Sequence, residues 1–284
     1  MALVQVFVSG LSLGGYYALL AVGFALIFAT FRIFHIAHAA VFGAAGYTLY
    51  FLHRVRGLDF LPSAVAAIAV GALLGWAIDQ LIYQPIGRRG GGLFSMFIAS
   101  LGVALVFEAA VLIPTRGNLA VAHTGSMPIL NAGTVAIRQM DVIVVALVIA
   151  LYAALHLWLT RTRGGLAILG LSDNPHLAGV VGVDVARTRV VVFVVSSALA
   201  GVAGVFTAYD TGLVPTTGLD FLFITLVAVI LGGTRNVLLG AALGSLVLGL
   251  ATGFAGFFAP AWVTVVVFAL LIALLVARPK GLLA

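Results

Sequence analysis

The sequence specifies an all-α protein: a polytopic bundle of transmembrane helices that crosses the bilayer about eight or nine times as a single domain over residues 1–284. Three observations carry that reading. Of the 284 residues, 63% are hydrophobic and 8% charged, where a soluble domain has about 45–50% and 25%. With 14 Lys+Arg and 8 Asp+Glu, the chain cannot clothe a folded surface in solvated side chains, so its outer face is written for lipid. Apolar runs long enough to span recur from Leu3 to Ala277. They lack the alternating pattern of a lipid-facing β-barrel, which excludes that architecture.

In chain order the spans are expected at Leu3 to Ala29, Ile36 to Leu52, Leu61 to Tyr83, Leu93 to Ile113, Val142 to Leu159, Val190 to Tyr209, Phe221 to Gly233, Val237 to Phe258 and Trp262 to Ala277. The first is too long for the apolar core of a signal peptide and has no basic residue before it, so it is expected to remain in the mature protein. Ile36 to Leu52 and Phe221 to Gly233 are short and hold glycines, the pattern of broken or re-entrant helices sheltered inside a bundle. Glycine makes up 34 of 284 residues, about 12% against an average of about 7%. Pairs four apart occur at Gly10 and Gly14, Gly71 and Gly75, Gly240 and Gly244, and Gly249 and Gly253. Such pairs let helix backbones approach within one chain, the first reading here; the alternative is that Gly240 to Gly253 form the seam of a homodimer.

The net charge of +6 does not mark a nucleic-acid binder, because the arginines stand singly or in pairs between apolar runs, with no basic stripe and no interleaved aromatics. They read as topology signals. With nine crossings, Arg32, Arg88, Arg89, Arg161, Arg163, Arg187, Arg189, Arg235, Arg278 and Lys280 fall on one side, and Arg54, Arg56, Arg116 and Arg138 on the other. The positive-inside rule then puts the C-terminus in the cytoplasm and the N-terminus outside. The absence of cysteine removes disulfides, thiolate catalysis and thiolate metal sites together.

The most informative stretch between spans is TRTRGGLAILGLSDNPHLAGVVGVDVARTR, residues 160–189. Four arginines bracket it. Asp173, Asn174 and Pro175 form a helix-start signal, followed by His176, Leu177, Ala178 and Gly179, enough for one or two turns before a glycine stop. A short helix across the cytoplasmic mouth is a docking element. An unstructured connection of this length would be uncommon.

This loop resembles the cytoplasmic coupling loop of ATP-driven importer permeases, with Gly165, Asp173, Asn174, Pro175, Ala178, Gly182 and Val183 on the pattern. The stretches GLSLGGYYALLAVGFALIFATFRIFHIAHAAVFGAAGY, YQPIGRRGGGLFSMFIASLG, SALAGVAGVFTAYDTGLVPTTGLDF, LVAVILGGTRNVLLGAALGSLVLGL and the terminal VARPKGLLA resemble the LivH-type permease of the branched-chain amino acid importers. The sequence departs from that family at Leu169, where an arginine is usual, and at His35 and Ala40, where an asparagine and an acid are usual.

The resemblance implies a bacterial inner-membrane subunit that pairs with a like or identical permease. It implies solute delivery by a periplasmic binding protein, specificity largely held there, and drive from two cytoplasmic ATPase subunits that bind ATP and Mg. The sequence agrees in one respect: it has no GxxxxGK[ST] phosphate loop and a single lysine, Lys280, so it is not expected to bind nucleotide or act as an enzyme. The same scaffold could serve urea or short amides.

Ionisable residues inside spans are functional candidates by default. Glu108 lies in the outer third of its span, either lining the path or hydrogen-bonded to a neighbouring helix. Asp79 lies near Arg88 and Arg89, positioned to pair with one of them or to serve the path. Asp210 and Asp220 bracket the outward loop TGLVPTTGL, which could meet a binding protein. Arg32, His35 and His38 form a further cluster, with the histidines three apart on one helical face. A metal site there lacks a third ligand; an interfacial hinge anchored by Arg32, or a proton relay, fits better. Two other function classes compete. An intramembrane hydrolase would need a motif such as GxSxG or HExxH, which is absent. An ion-coupled secondary transporter could use Glu108 and Asp79 near the midplane.

Overall fold

The computed structural model describes residues 2–123, 125, 128–132, 135–233, 236–277 and 282. Arg235 and the terminal motif from Arg278 to Gly281, both used in the topology argument, lie outside them. The described residues form α1 (Ala2–Phe31), α2 (His38–Leu49), a π-helical turn (Tyr50–Val55), α3 (Phe60–Ile78), a second π segment (Asp79–Tyr83) and α4 (Gln84–Arg88). Then come α5 (Leu93–Thr115), strands β1 (Ile129–Ala132) and β2 (Val135–Arg138), α6 (Gln139–Arg161), α7 (Arg163–Asp173) and α8 (Pro175–Val180). The chain continues through α9 (Val185–Asp210), α10 (Thr217–Gly232), α11 (Val237–Phe258), a 3-10 turn (Pro260–Trp262) and α12 (Val263–Ala277).

Among the described residues, seven helices are long and apolar enough to cross a membrane. The two segments singled out as short are the ones missing from that set. α2 is a 12-residue helix, and α10 has 16 residues, about 24 Å at 1.5 Å per residue against a hydrocarbon core of about 30 Å. The all-α expectation needs one correction, the antiparallel hairpin in which Ile129 pairs with Arg138 and Ala132 with Val135. Its local signal was the pair Asn131 and Gly133, residue types that often break a strand, between two short runs of β-prone residues.

The chain divides into two compact units. The first comprises residues 1–25, 124–154 and 223–284. Its packing explains the paired glycines. A Cβ on Gly249 would overlap the backbone of Gly14 in α1, one on Gly253 would press on Gly10, and one on Gly244 would overlap the carbonyl of Ala228 in α10. Gly240 is similarly closed against Gly232 and Gly233. These glycines are therefore consumed by close approach within the chain, and the homodimer seam through Gly240 to Gly253 is not available. Beside them, Val227, Leu231, Leu248 and Val267 form an apolar core. The hairpin is tied to α1 by Gln5, whose amide nitrogen donates to the Ala136 carbonyl (2.9 Å) and whose amide oxygen accepts from the Ala136 N–H (3.0 Å). Asp141 joins it to α6, pairing with Arg138 and accepting from the Ser12 hydroxyl at 2.7 Å.

The second unit comprises residues 26–123 and 155–222. α2, α3 and α9 pack against one another at its centre, again through small residues. Gly204 of α9 faces the Phe42 carbonyl, Gly201 faces Ile68, and Gly75 of α3 faces the Ser197 side chain. The loop after α9 is anchored: Leu213 is buried and exchanges two backbone hydrogen bonds of 2.9 Å with Ala120.

Candidate functional site

The segment from 160 to 189 is built from two helices where the sequence announced one. α7 begins because Thr162, in extended backbone, accepts from the Gly165 N–H at 3.0 Å, a side-chain N-cap. Gly165 has a structural cause: a Cβ there would overlap the backbone of Trp158 and Leu159, so only glycine lets α7 turn back on the end of α6. α7 buries Gly165, Ile168 and Leu171, and the Ser172 hydroxyl lies 3.1 Å from that of Thr30. Leu169, on another face, is 37% exposed.

α8 starts where Asp173-Asn174-Pro175 said it would. Asn174 is its N-cap, accepting from the Leu177 N–H at 3.0 Å, and Pro175 occupies the first turn. His176 and Leu177 follow in the helix, whose only buried residue is Ala178. Gly179 meets nothing within 4 Å and does not end the helix. Gly182 does the terminating work, at φ +88, a conformation glycine adopts without penalty. Leu177, Val180 and Val181 are 56%, 72% and 71% exposed, a small apolar surface on an element that is too short to span the bilayer. Directly beyond, Asp184 caps α9 by accepting from the Arg187 N–H at 2.9 Å.

Two turns of chain from that surface lies a buried polar cluster. Asp79 is fully buried and pairs with Arg189, four residues into α9, at 2.7 Å. The expectation that it pairs with Arg88 or Arg89 is corrected by geometry: they lie nine and ten residues further along the same helix, about 14 Å away, and the Arg88 guanidinium donates to Gln84. Gln84 also donates to the second carboxylate oxygen of Asp79 at 3.0 Å. That contact depends on the π segment, closed by a bond from the Gln84 N–H to the Asp79 carbonyl, which brings residues five apart onto one face. Arg189 is further held between the rings of Phe31 and Phe193, 5.2 and 5.5 Å from their centroids.

The same π segment presents Tyr83, whose hydroxyl lies 2.7 Å from His35 Nδ1. His35 sits in the link between α1 and α2 and is wholly buried; burial, then the neighbouring His38, holds its pKa well below the ordinary value, so the ring is neutral. The His35 and His38 rings stand 5.3 Å apart, and the Ser100 hydroxyl of α5 accepts from the Ala37 N–H at 2.8 Å. Arg32 closes α1 in left-handed backbone, φ +57, and is exposed. Asp79, His35 and His38 are thus brought together around Tyr83 and Arg189, neither of which the sequence nominated. The available signal was Asp79-Gln80 and Tyr83-Gln84, a polar cluster inside an apolar run. Glu108 stands apart on α5, half-buried, with no hydrogen bond or ion pair among the described residues.

The sequence pattern of a family described as branched-chain amino acid transport system, permease component, matches residues 6–275. The chain is 28% identical to the high-affinity branched-chain amino acid transport system permease protein BraD of Pseudomonas aeruginosa, covering 86% of this chain and 83% of that one. It is also 28% identical to a probable branched-chain amino acid transport permease protein LivH of Methanocaldococcus jannaschii, over 81% of this chain and 74% of that one. Among solved structures, PsaBC from Streptococcus pneumoniae aligns over 99% of this chain and 93% of that chain, with a TM-score of 0.55 at 16% identity, which is a likeness of fold.

Proposed function

We propose that this chain, which belongs to the family of branched-chain amino acid transport permease components, forms one half of the translocation path of an ATP-driven importer for branched-chain or related amino acids. A second permease subunit completes the path, a periplasmic binding protein delivers the solute, and two cytoplasmic ATPase subunits, which hold ATP and Mg, supply the work. The chain is a transport subunit and not an enzyme. In this reading it lies in the bacterial inner membrane with its N-terminus outside and its C-terminus in the cytoplasm.

The observation that carries the reading is α8: a capped helix with an exposed apolar face, offered on the side where the sequence concentrates arginine. A docked ATPase would cover Leu177, Val180 and Val181. Motion there has a short physical route. α8 leads through the Asp184 cap into α9, whose fifth residue is Arg189, and Arg189 grips Asp79 in the π segment of the neighbouring helix. Displacing α8 therefore bears on the junction of α3 and α9 without needing any charge to be created or moved.

Replacing residues 175–178 by a glycine-serine run removes the first-turn Pro175 and the exposed Leu177 and leaves Asn174 little helix to cap, so that α8 no longer presents its apolar face. Membrane insertion, followed by expression of a tagged chain, is expected to be unchanged, while binding-protein-dependent uptake of radiolabelled leucine falls to background. Uptake at the unaltered rate would overturn the coupling role.

A further inference from the structure

α2, α3 and α5 leave a groove of about 580 Å³ between them, open on one side. Its floor is Ala40; Leu74 and Ile82 form one wall, and α5 supplies the other from Ala99 through Gly102 to Ala110. Every lining residue is apolar or glycine, and a Cβ on Gly102 would meet nothing within 4 Å, so the space is real and dry. Ala99 to Ala110 is about 16 Å along a helix at 1.5 Å per residue. One leaflet of a hydrocarbon core about 30 Å thick is of that length.

A second feature lies at one end. Arg89 is seven residues beyond Ile82, two turns along and on the same face, and Arg88 precedes it; both are exposed. Arg88 donates only to the neutral Gln84, and Arg89 has no partner among the described residues. The α5 wall gives the same distance independently, because Ala99 lies six residues into the helix that follows the Arg89 turn. Two uncompensated cations thus stand about 10 Å above an acyl-length apolar slot.

We propose that this groove is a binding site for an anionic phospholipid, with one acyl chain between α3 and α5 and the headgroup phosphate on Arg88 and Arg89. A zwitterionic lipid would fill the slot equally well but gain less from the two cations. Another helix would leave both arginines without a counter-charge. The proposal needs only that the helices span a bilayer, and stands apart from the transport reading.

The test is native mass spectrometry of the purified full chain, loaded with phosphatidylglycerol or with phosphatidylcholine of identical acyl chains. Preferential retention of phosphatidylglycerol is expected. Arg88→Gln and Arg89→Gln should each lower that retention roughly fivefold, the weight of one basic residue near a membrane surface, and leave phosphatidylcholine unaffected. Gly102→Leu, which fills the slot, should abolish the preference with both arginines intact. Ala110→Phe repeats that test at the far end, and a monodisperse helical species in detergent shows that each variant has folded. Equal retention of the two lipids overturns the site, as does insensitivity to either arginine. Retention that survives Gly102→Leu and Ala110→Phe but yields to inorganic phosphate overturns it too, because the arginines would then be an anion site alone. The chain has no cysteine, so Val106→Cys gives a single-thiol probe; a cross-linked dimer through it in membranes would put a second copy over the groove and sink the proposal.

Discussion

Asp79 is a carboxylate at 0% exposure at the end of a long apolar helical run, and it persists there because Arg189, Gln84 and Gln80 all reach it. Removing one partner of such a pair strands the other charge, at a cost of about 3–5 kcal/mol. Replacing both by apolar residues of similar bulk costs far less. Asp79→Ala is therefore expected to lower the thermal stability of the detergent-solubilised chain severely, and Asp79→Leu combined with Arg189→Met to recover most of the loss. A double variant no more stable than the single one would show that the cluster is held by contacts other than the pair. Asp79 was legible in the sequence because a charge in an apolar run is expensive and must be explained. Arg189 was not, because a partner 110 residues away on an antiparallel helix leaves no trace in local spacing. His35 was misplaced as well: the sequence put it on one helical face with His38, whereas it lies in the link between α1 and α2, and its bond to Tyr83 leaves no local trace.

The elements were legible where hydrophobic length alone sets them and illegible where packing does. Val237 to Phe258 matches the observed helix at both ends, and the Asp173-Asn174-Pro175 signal placed α8, because caps and apolar runs are local chemistry. The two π segments were invisible, since one extra residue per turn changes no composition. Glycines four apart announced close packing without saying against what. The structure now separates them by cause. A Cβ on Gly249 would overlap the backbone of Gly14, where neither side can move without parting α1 from α11. Gly179 faces open space in α8. Gly249→Ala should cost about 1–3 kcal/mol, as overpacking does, whereas Gly179→Ala should be neutral or stabilising by up to about 1 kcal/mol through helix propensity. Thermal unfolding of the two variants beside the parent chain measures both, and equal effects would refute the distinction.

At the scale of the whole molecule the energy source decides the function. A proton-coupled carrier must hold a group that changes charge within the cycle. Here the buried Asp79 is already neutralised by Arg189 and the buried His35 is held neutral by its surroundings, which leaves Glu108 as the unpartnered acid among those candidates. An importer permease needs no titrating group, because the work arrives mechanically through an exposed surface such as α8. The two cases diverge in reconstituted vesicles. The chain alone, under a proton or sodium gradient, is expected to move no leucine. The assembly recovered from native membranes by gentle-detergent pull-down is expected to contain ATPase subunits and a solute-binding protein. It should transport in the presence of ATP and Mg, and an uncoupler should not stop it. Gradient-driven uptake by the solitary chain, abolished by Glu108→Gln, would reverse the assignment, because the work would then enter through the membrane-embedded acid and not through α8.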